Sequence, residues 1–99
     1  MVVAGNITAY SDIRIKENIK VIPNALDKVI KLSGYTFDRT DEDTPRQTGV
    51  IAQEVQAVLP EAVTEDKDGK LSVAYGNMVG LLIESIKELE ARVKELEVV

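Results

Sequence analysis

VGLLIESIKELEARVKEL, running from Val79 to Leu96, decides the architecture of this chain. Its apolar residues fall at Val79, Leu82, Ile86, Leu89, Val93 and Leu96, alternately three and four residues apart. That alternation is a heptad seam, with β-branched residues at a and leucines at d, and it predicts a C-terminal helix over 79–99 that associates with copies of itself. Arg92 falls at g and Glu97 at the following e, where they can form an interhelical ion pair, while Glu84, Lys87, Glu88, Lys94 and Glu95 take outer positions. Leu81 and Ile83 widen the apolar surface where the helix starts, so that end is expected to be buried in a globular part. The plain alternative is an amphipathic helix that packs only on its own domain. The seam covers fewer than three heptads and is weak alone, so the coil should emerge from a domain that itself associates.

Upstream of the helix the pattern is mixed. Residues 1–10 (MVVAGNITAY) are β-prone and carry a Gly-Asn pair, as expected for the tail of a longer stretch that ends here. From Ser11 to Ile22 (SDIRIKENIKVI), Ser11 is a candidate N-cap with Asp12 in the first turn, and the apolar residues mix periods of two and four, which predicts an irregular segment with a strand-like end. Pro23 to Leu32 predicts a helix with Leu26, Val29, Ile30 and Leu32 on its apolar face, stopped by Ser33-Gly34. Tyr35-Thr36-Phe37 predicts a short strand leading into the polar stretch 38–47. Gly49 to Leu59 has Ile51, Val55, Val58 and Leu59 at helical spacing before Pro60 ends it. Two short apolar runs, 62–64 and 71–73, flank a polar Asp-Gly turn and predict a hairpin. The fold class that results is α+β: a small mixed globular part of short helices and β-hairpins over 11–78, followed by the long helix.

Composition narrows the chemistry. The chain has 99 residues, enough for one small domain, with a net charge of -5, no histidine and no cysteine. The acidic balance argues against a nucleic-acid partner, and no apolar run approaches the length of a membrane span, so neither partner is expected. Without His or Cys there is no disulfide, no ordinary zinc site, no Cys nucleophile and no Ser-His pair, and neither metal nor cofactor is expected. Only four aromatic residues, three Tyr and one Phe, are available as large core anchors, which favours oligomerisation.

What remains is a serine or threonine activated by lysine, or a carboxylate pair. A Ser-Lys dyad needs a neutral amine, which burial or a neighbouring cation promotes. Of the serines, Ser33 is a helix stop, Ser72 lies in a strand and Ser85 on the terminal helix. Ser11 is followed within five residues by Arg14 and Lys16, with Ile13 and Ile15 available to dry the site. In an ideal helix or strand the Ser11 and Lys16 side chains do not meet, so a turn between them is required. The alternative is that Ser11 caps a helix and Lys16 is solvated. Asp41, Glu42 and Asp43 are expected to be a solvated charge run, and Asp66, Asp68 and Gly69 lack the further ligands of a calcium loop.

Three segments occur here in a fixed order: Ser-Asp-x-Arg-x-Lys-x-Asn-Ile (11–19), Gly-Val-Ile-Ala-Gln-Glu-Val (49–55) with Pro60-Glu61 after it, and Tyr75 followed by the leucine-rich helix through Ile86-x-x-Leu89. Together they resemble the intramolecular chaperone domain at the C-terminus of bacteriophage tailspikes and tail fibres, the endosialidase chaperone or peptidase S74 family, to which a domain of a eukaryotic membrane-bound transcription factor is related. The resemblance implies a homotrimer with a parallel trimeric coiled coil, although Val/Ile at a with Leu at d leans towards two strands by the simple rule. It implies a partner in the upstream β-rich stalk of the same polypeptide, whose end would be residues 1–10, and action on a virion fibre precursor in the host cytoplasm, followed by release from the mature virion protein. It further implies self-cleavage beside Ser11 by a dyad of Ser11 and Lys16, with Arg14, Asn18, Gln53 and Glu54 of the matching motifs as candidate supporting residues. Cleavage at Ser11-Asp12 is the expected bond, and Tyr10-Ser11 stays open. Serine attack on its own carbonyl would close a strained four-membered ring, whereas attack on the preceding carbonyl is an N-to-O acyl shift and attack from another chain reaches either bond.

Overall fold

The computed structural model describes residues 8–98, so the expectation for the first seven residues lies outside the described part. The order of elements is a single 310 turn at Ile13–Ile15, α1 (Ala25–Val29), β1 (Tyr35–Phe37), β2 (Gln47–Gly49), α2 (Ala52–Val58), a second 310 turn (Pro60–Ala62), β3 (Val63–Glu65), β4 (Leu71–Val73), a third 310 turn (Tyr75–Met78) and α3 (Val79–Glu97). The fold is therefore mixed, with short strands and a long C-terminal helix.

The strands form two separate antiparallel hairpins rather than one sheet. In the first, Tyr35 faces Gly49, Thr36 faces Thr48 and Phe37 faces Gln47. In the second, Val63 faces Val73, Thr64 faces Ser72 and Glu65 faces Leu71. Its turn is closed by the Asp66 N–H on the Lys70 carbonyl (2.9 Å), with Gly69 at a φ of 83° that a β-carbon disfavours. Asp66 Oδ1 accepts from the backbone N–H groups of Asp68 and Lys70 (2.9 Å each), so this carboxylate shapes a turn. Asp41 and Glu42 both pair with Arg39 in the first hairpin's loop.

The core is small: Ala25, Val55, Leu59, Ala62, Met78 and Leu81 are buried, with Ile22, Val29, Leu32, Val50, Val58, Val63 and Val73 packed around them. Each helix gives it one or two side chains, because α1 and α2 are short and only one stripe of each can face inward. The helix expected over Pro23–Leu32 is limited to five residues, and Ala25 is its buried member, while Ile30 stays exposed. Asn24, in the left-handed region at a φ of 52°, starts this helix without using its own side chain as a cap. Glu88 supplies the cap instead, from α3, accepting from the N–H groups of Ala25 (2.7 Å) and Leu26 (3.1 Å).

Gly49 ties two distant stretches together. A β-carbon there would sit 2.5 Å from the Tyr75 hydroxyl, which accepts from the Val50 N–H (3.2 Å). The glycine thus leaves room for a tyrosine twenty-six positions later to dock over the start of the α2 segment.

α3 has two apolar stripes. Met78, Leu81 and Ser85 are buried against its own domain, Glu88 is half-buried on the same stripe, and the Ser85 hydroxyl donates to the Leu81 carbonyl (2.7 Å). The neighbouring stripe of Val79, Leu82, Ile86, Leu89, Val93 and Leu96 is open to solvent. Two expectations change here. Ile83 is exposed rather than buried, because the domain covers only the stripe on the other side of Leu82. Glu88 faces α1 and not solvent. Within the single chain, Arg92 reaches Asp27 of α1 at 3.7 Å.

Candidate functional site

Ser11 and Lys16 meet. The chain turns once between them: Ile15 N–H bonds to the Asp12 carbonyl and Lys16 N–H to the Ile13 carbonyl, each at 3.1 Å, which makes a single 310 turn. That turn folds the lysine side chain back over the serine, and Lys16 Nζ donates to Ser11 Oγ at 2.8 Å. The two groups are five residues apart, and the turn supplies the approach that neither a regular helix nor a strand offers.

Ser11 is not the cap of this turn. Asp12 is, with Oδ1 accepting from the Arg14 N–H at 2.9 Å. The hydroxyl of Ser11 is left for Lys16. Asp12 also holds the Arg14 guanidinium through Nε (3.1 Å) and Nη2 (2.7 Å). The side-chain hydrogen bond with Arg14 keeps the Asp12 carboxyl below its usual value of 3.8, with the Arg14 backbone bond adding to it. The same contact raises Arg14 above its usual value. Arg14 is therefore not a free cation acting on Lys16, because the ion pair with Asp12 offsets its charge.

Every residue from Ser11 to Lys20 is exposed. Ile13 and Ile15, expected to dry the site, are 72% and 66% exposed. A dry environment strengthens each electrostatic term and favours a neutral amine, and here the single chain provides none. The arrangement is a serine hydroxyl and a lysine amine held together in open solvent.

The other named residues lie elsewhere. Asn18 adopts a φ of 54°, a backbone region asparagine tolerates, and so shapes the path of the chain. Gln53 is exposed on α2. Glu54 Oε2 accepts from the Tyr35 hydroxyl at 2.8 Å, and its buried Oε1 has no partner among the described residues. No described hydrogen bond joins Gln53 or Glu54 to the serine or lysine; all those of residues 11–16 are local. Asp12 as turn cap and Glu88 as the α1 cap are the two functional placements that sequence reasoning misses. Asp-x-Arg is the available signal for the first. The second joins residues more than sixty positions apart and has no local signal.

Comparison with known proteins decides the family. The model of Peptidase_S74, chaperone of endosialidase, matches residues 11–64, more than half of the chain. The chain belongs to this family. The long tail fiber protein Gp37 of Enterobacteria phage K3 is 47% identical over 102 aligned residues, covering 95% of this chain, and the same protein of Enterobacteria phage T2 matches equally. Myelin regulatory factor homolog 1 of Caenorhabditis elegans is 38% identical over 76 residues. In each case the chain spans only 8% of the relative's length. The family match begins at Ser11, so the turn that joins serine and lysine opens the shared region.

Proposed function

We propose that this chain is an intramolecular chaperone for an upstream β-rich fibre stalk, that it works as a homotrimer, and that it then releases itself by cleavage beside Ser11. The observation that carries the reading is the 2.8 Å hydrogen bond between Lys16 Nζ and Ser11 Oγ across one turn of chain. Residues 1–10 are assigned to the end of the stalk, 11–78 to the chaperone head and 79–99 to a parallel three-stranded coil. Membership of a chaperone family, and relatives named as long tail fibre proteins, support the setting: a virion fibre precursor assembled in the host cytoplasm.

In the reaction proposed, the neutral Lys16 amine takes the proton of Ser11 Oγ as the oxygen attacks a backbone carbonyl. The carbon–nitrogen bond breaks, the lysine proton passes to the leaving nitrogen, and the acyl group is held as a serine ester until water hydrolyses it. Attack by the same serine on the Tyr10 carbonyl closes a five-membered ring; cleavage of Ser11-Asp12 requires the serine of another chain. In this reading assembly supplies the activation, by covering Ile13 and Ile15 and removing water from the lysine. An apolar groove of about 350 Å³ beside the start of the α3 seam, lined by Val29, Leu32, Val50, Tyr75, Met78, Val79 and Leu82, extends the surface on which a second copy can rest. Losing the chaperone after folding leaves the stalk kinetically trapped.

The second reading is a trimerisation cap that does not cut, and the full exposure of the dyad favours it. Intact mass separates the two. With the domain expressed on its natural upstream stretch, the first reading expects two fragments from the wild type and one uncut chain from Ser11→Ala and Lys16→Ala. A single uncut chain in all three overturns self-cleavage and leaves the cap. Sedimentation of the same samples at three times the chain mass supports the trimer, and a monomer overturns it.

A further inference from the structure

We infer that Asp12 is a positioning residue for the Ser11–Lys16 pair, acting through the backbone turn that it caps; this rests on the self-cleavage reading above. The turn that folds Lys16 onto Ser11 has little else to hold it. None of its three residues is buried, and its backbone is closed by two 310 hydrogen bonds, from Ile15 to Asp12 and from Lys16 to Ile13. Such turns have poorer hydrogen-bond geometry than an α-helix and are easily lost in water. Asp12 adds what the exposed side chains do not. Its Oδ1 binds the Arg14 N–H, one of the donors a helical turn leaves unpaired at its start, and fixes the first peptide units in turning geometry. Both oxygens also grip the Arg14 guanidinium, so the carboxylate spans the turn from its first residue to its middle.

The consequence is a division of labour between adjacent residues. Ser11 keeps its hydroxyl free for Lys16 because Asp12, one place later, caps the turn. The Asp12 carboxylate bonds to neither Ser11 Oγ nor Lys16 Nζ; it acts by keeping Lys16 Nζ at hydrogen-bond distance from Ser11 Oγ. Its charge works against activation, since pairing with Arg14 offsets a cation that would otherwise favour a neutral lysine. The role is therefore geometric, and substitutions should follow capping preference and not charge.

The test is a series at position 12 in the domain on its natural upstream stretch, with cleavage rate, sedimentation and Tm read on each variant. Asp12→Asn and Asp12→Thr keep a capping oxygen without the charge, while Asp12→Glu keeps the charge on a side chain one carbon too long, and Asp12→Ala keeps neither. The expected result is that the Ala and Glu variants cleave slower by about fivefold or more, the size of a lost N-cap read as a population, while Asn and Thr stay within about twofold to threefold of wild type. Sedimentation and Tm should be the same across the series, because the Asp12 carboxylate bonds only to Arg14 of its own turn. Equal rates for Ala and wild type overturn the inference, as does a Glu variant that outpaces Asn, which would make charge the working property. If wild type itself does not cleave, the self-cleavage reading falls, and amide exchange on Ser11→Ala still decides the cap: Arg14 N–H must exchange faster when Asp12→Ala is added, and equal exchange overturns it.

Discussion

The two apolar stripes of α3 lie side by side on one helix and meet different fates. Met78, Leu81 and Ser85 are sealed against α1 and the core, with Leu81 at 0% exposure, whereas Val79, Leu82, Ile86, Leu89, Val93 and Leu96 remain open, with Leu89 at 50%. The exposed stripe is the more regular and the more hydrophobic of the two. Regularity is thus a poor guide to what a single chain buries. The stripe that packs at home needs only a few well-placed small or branched residues to match an irregular surface. A stripe that meets copies of itself must repeat, because each copy presents the same spacing.

That contrast can be broken by substitution. Leu81→Ala should destabilise the single chain by about 2–5 kcal/mol, measured by urea denaturation, since it empties a fully buried site. Leu89→Glu on the open stripe should leave the stability of the isolated chain within about 0.5 kcal/mol of wild type. If the proposed seam forms, the same change should lower association by about 1.5–3 kcal/mol per chain, seen as loss of the assembled species in sedimentation. A Leu89 variant that unfolds the monomer would show that both stripes serve the domain itself. Glu88→Ala should cost about 1 kcal/mol in the same denaturation, because it uncaps α1 at Ala25 and Leu26. Arg92→Ala, which removes only an exposed pair with Asp27 at 3.7 Å, should be almost silent.

The smallest effect concerns the other end of the molecule and pH. Asp12 has its carboxyl pKa depressed by Arg14 in the folded turn, so its contribution is present above the ordinary carboxyl value and is lost as pH falls through the depressed one. Arg14 amide exchange, corrected for its intrinsic pH dependence, should therefore hold steady down to the usual carboxyl value of 3.8 and increase only below it. Loosening that sets in above that value would contradict the pairing.

Local chemistry makes much of this fold legible in the sequence. β1 follows from Tyr35-Thr36-Phe37 and the second hairpin from its Asp-Gly turn, since turn chemistry is local, whereas β2 (Gln47–Gly49) lies where the sequence reads as a polar stretch and the start of a helix. α2 follows from Val55 and Leu59 with Pro60 at its end. The approach of Lys16 to Ser11 is legible only as a requirement for a turn, because five residues in a row fix neither its type nor its cap. Ser11 is the natural but mistaken choice of cap there: Ser and Asp cap almost equally well, and what decides between them is which oxygen faces an unpaired N–H. The short α1 and the exposure of Ile30 are illegible for a different reason. A five-residue helix is held by its neighbours, and its neighbour is a carboxylate more than sixty positions away.

Taken alone, the sequence determined most of the regular elements, β2 excepted, through local turn chemistry and apolar periodicity. By the absence of His and Cys it excluded a Cys nucleophile and a Ser-His pair, leaving Ser, Thr, Lys, Asp, Glu and Tyr. Tertiary structure alone decided which stripe of α3 is used at home, which carboxylate caps α1, that the Tyr75 hydroxyl rests against Gly49, and that the serine–lysine turn stands in open solvent. These depend on surfaces brought together from distant parts of the chain, and burial, unlike periodicity, is a property of the pair of surfaces and not of either one.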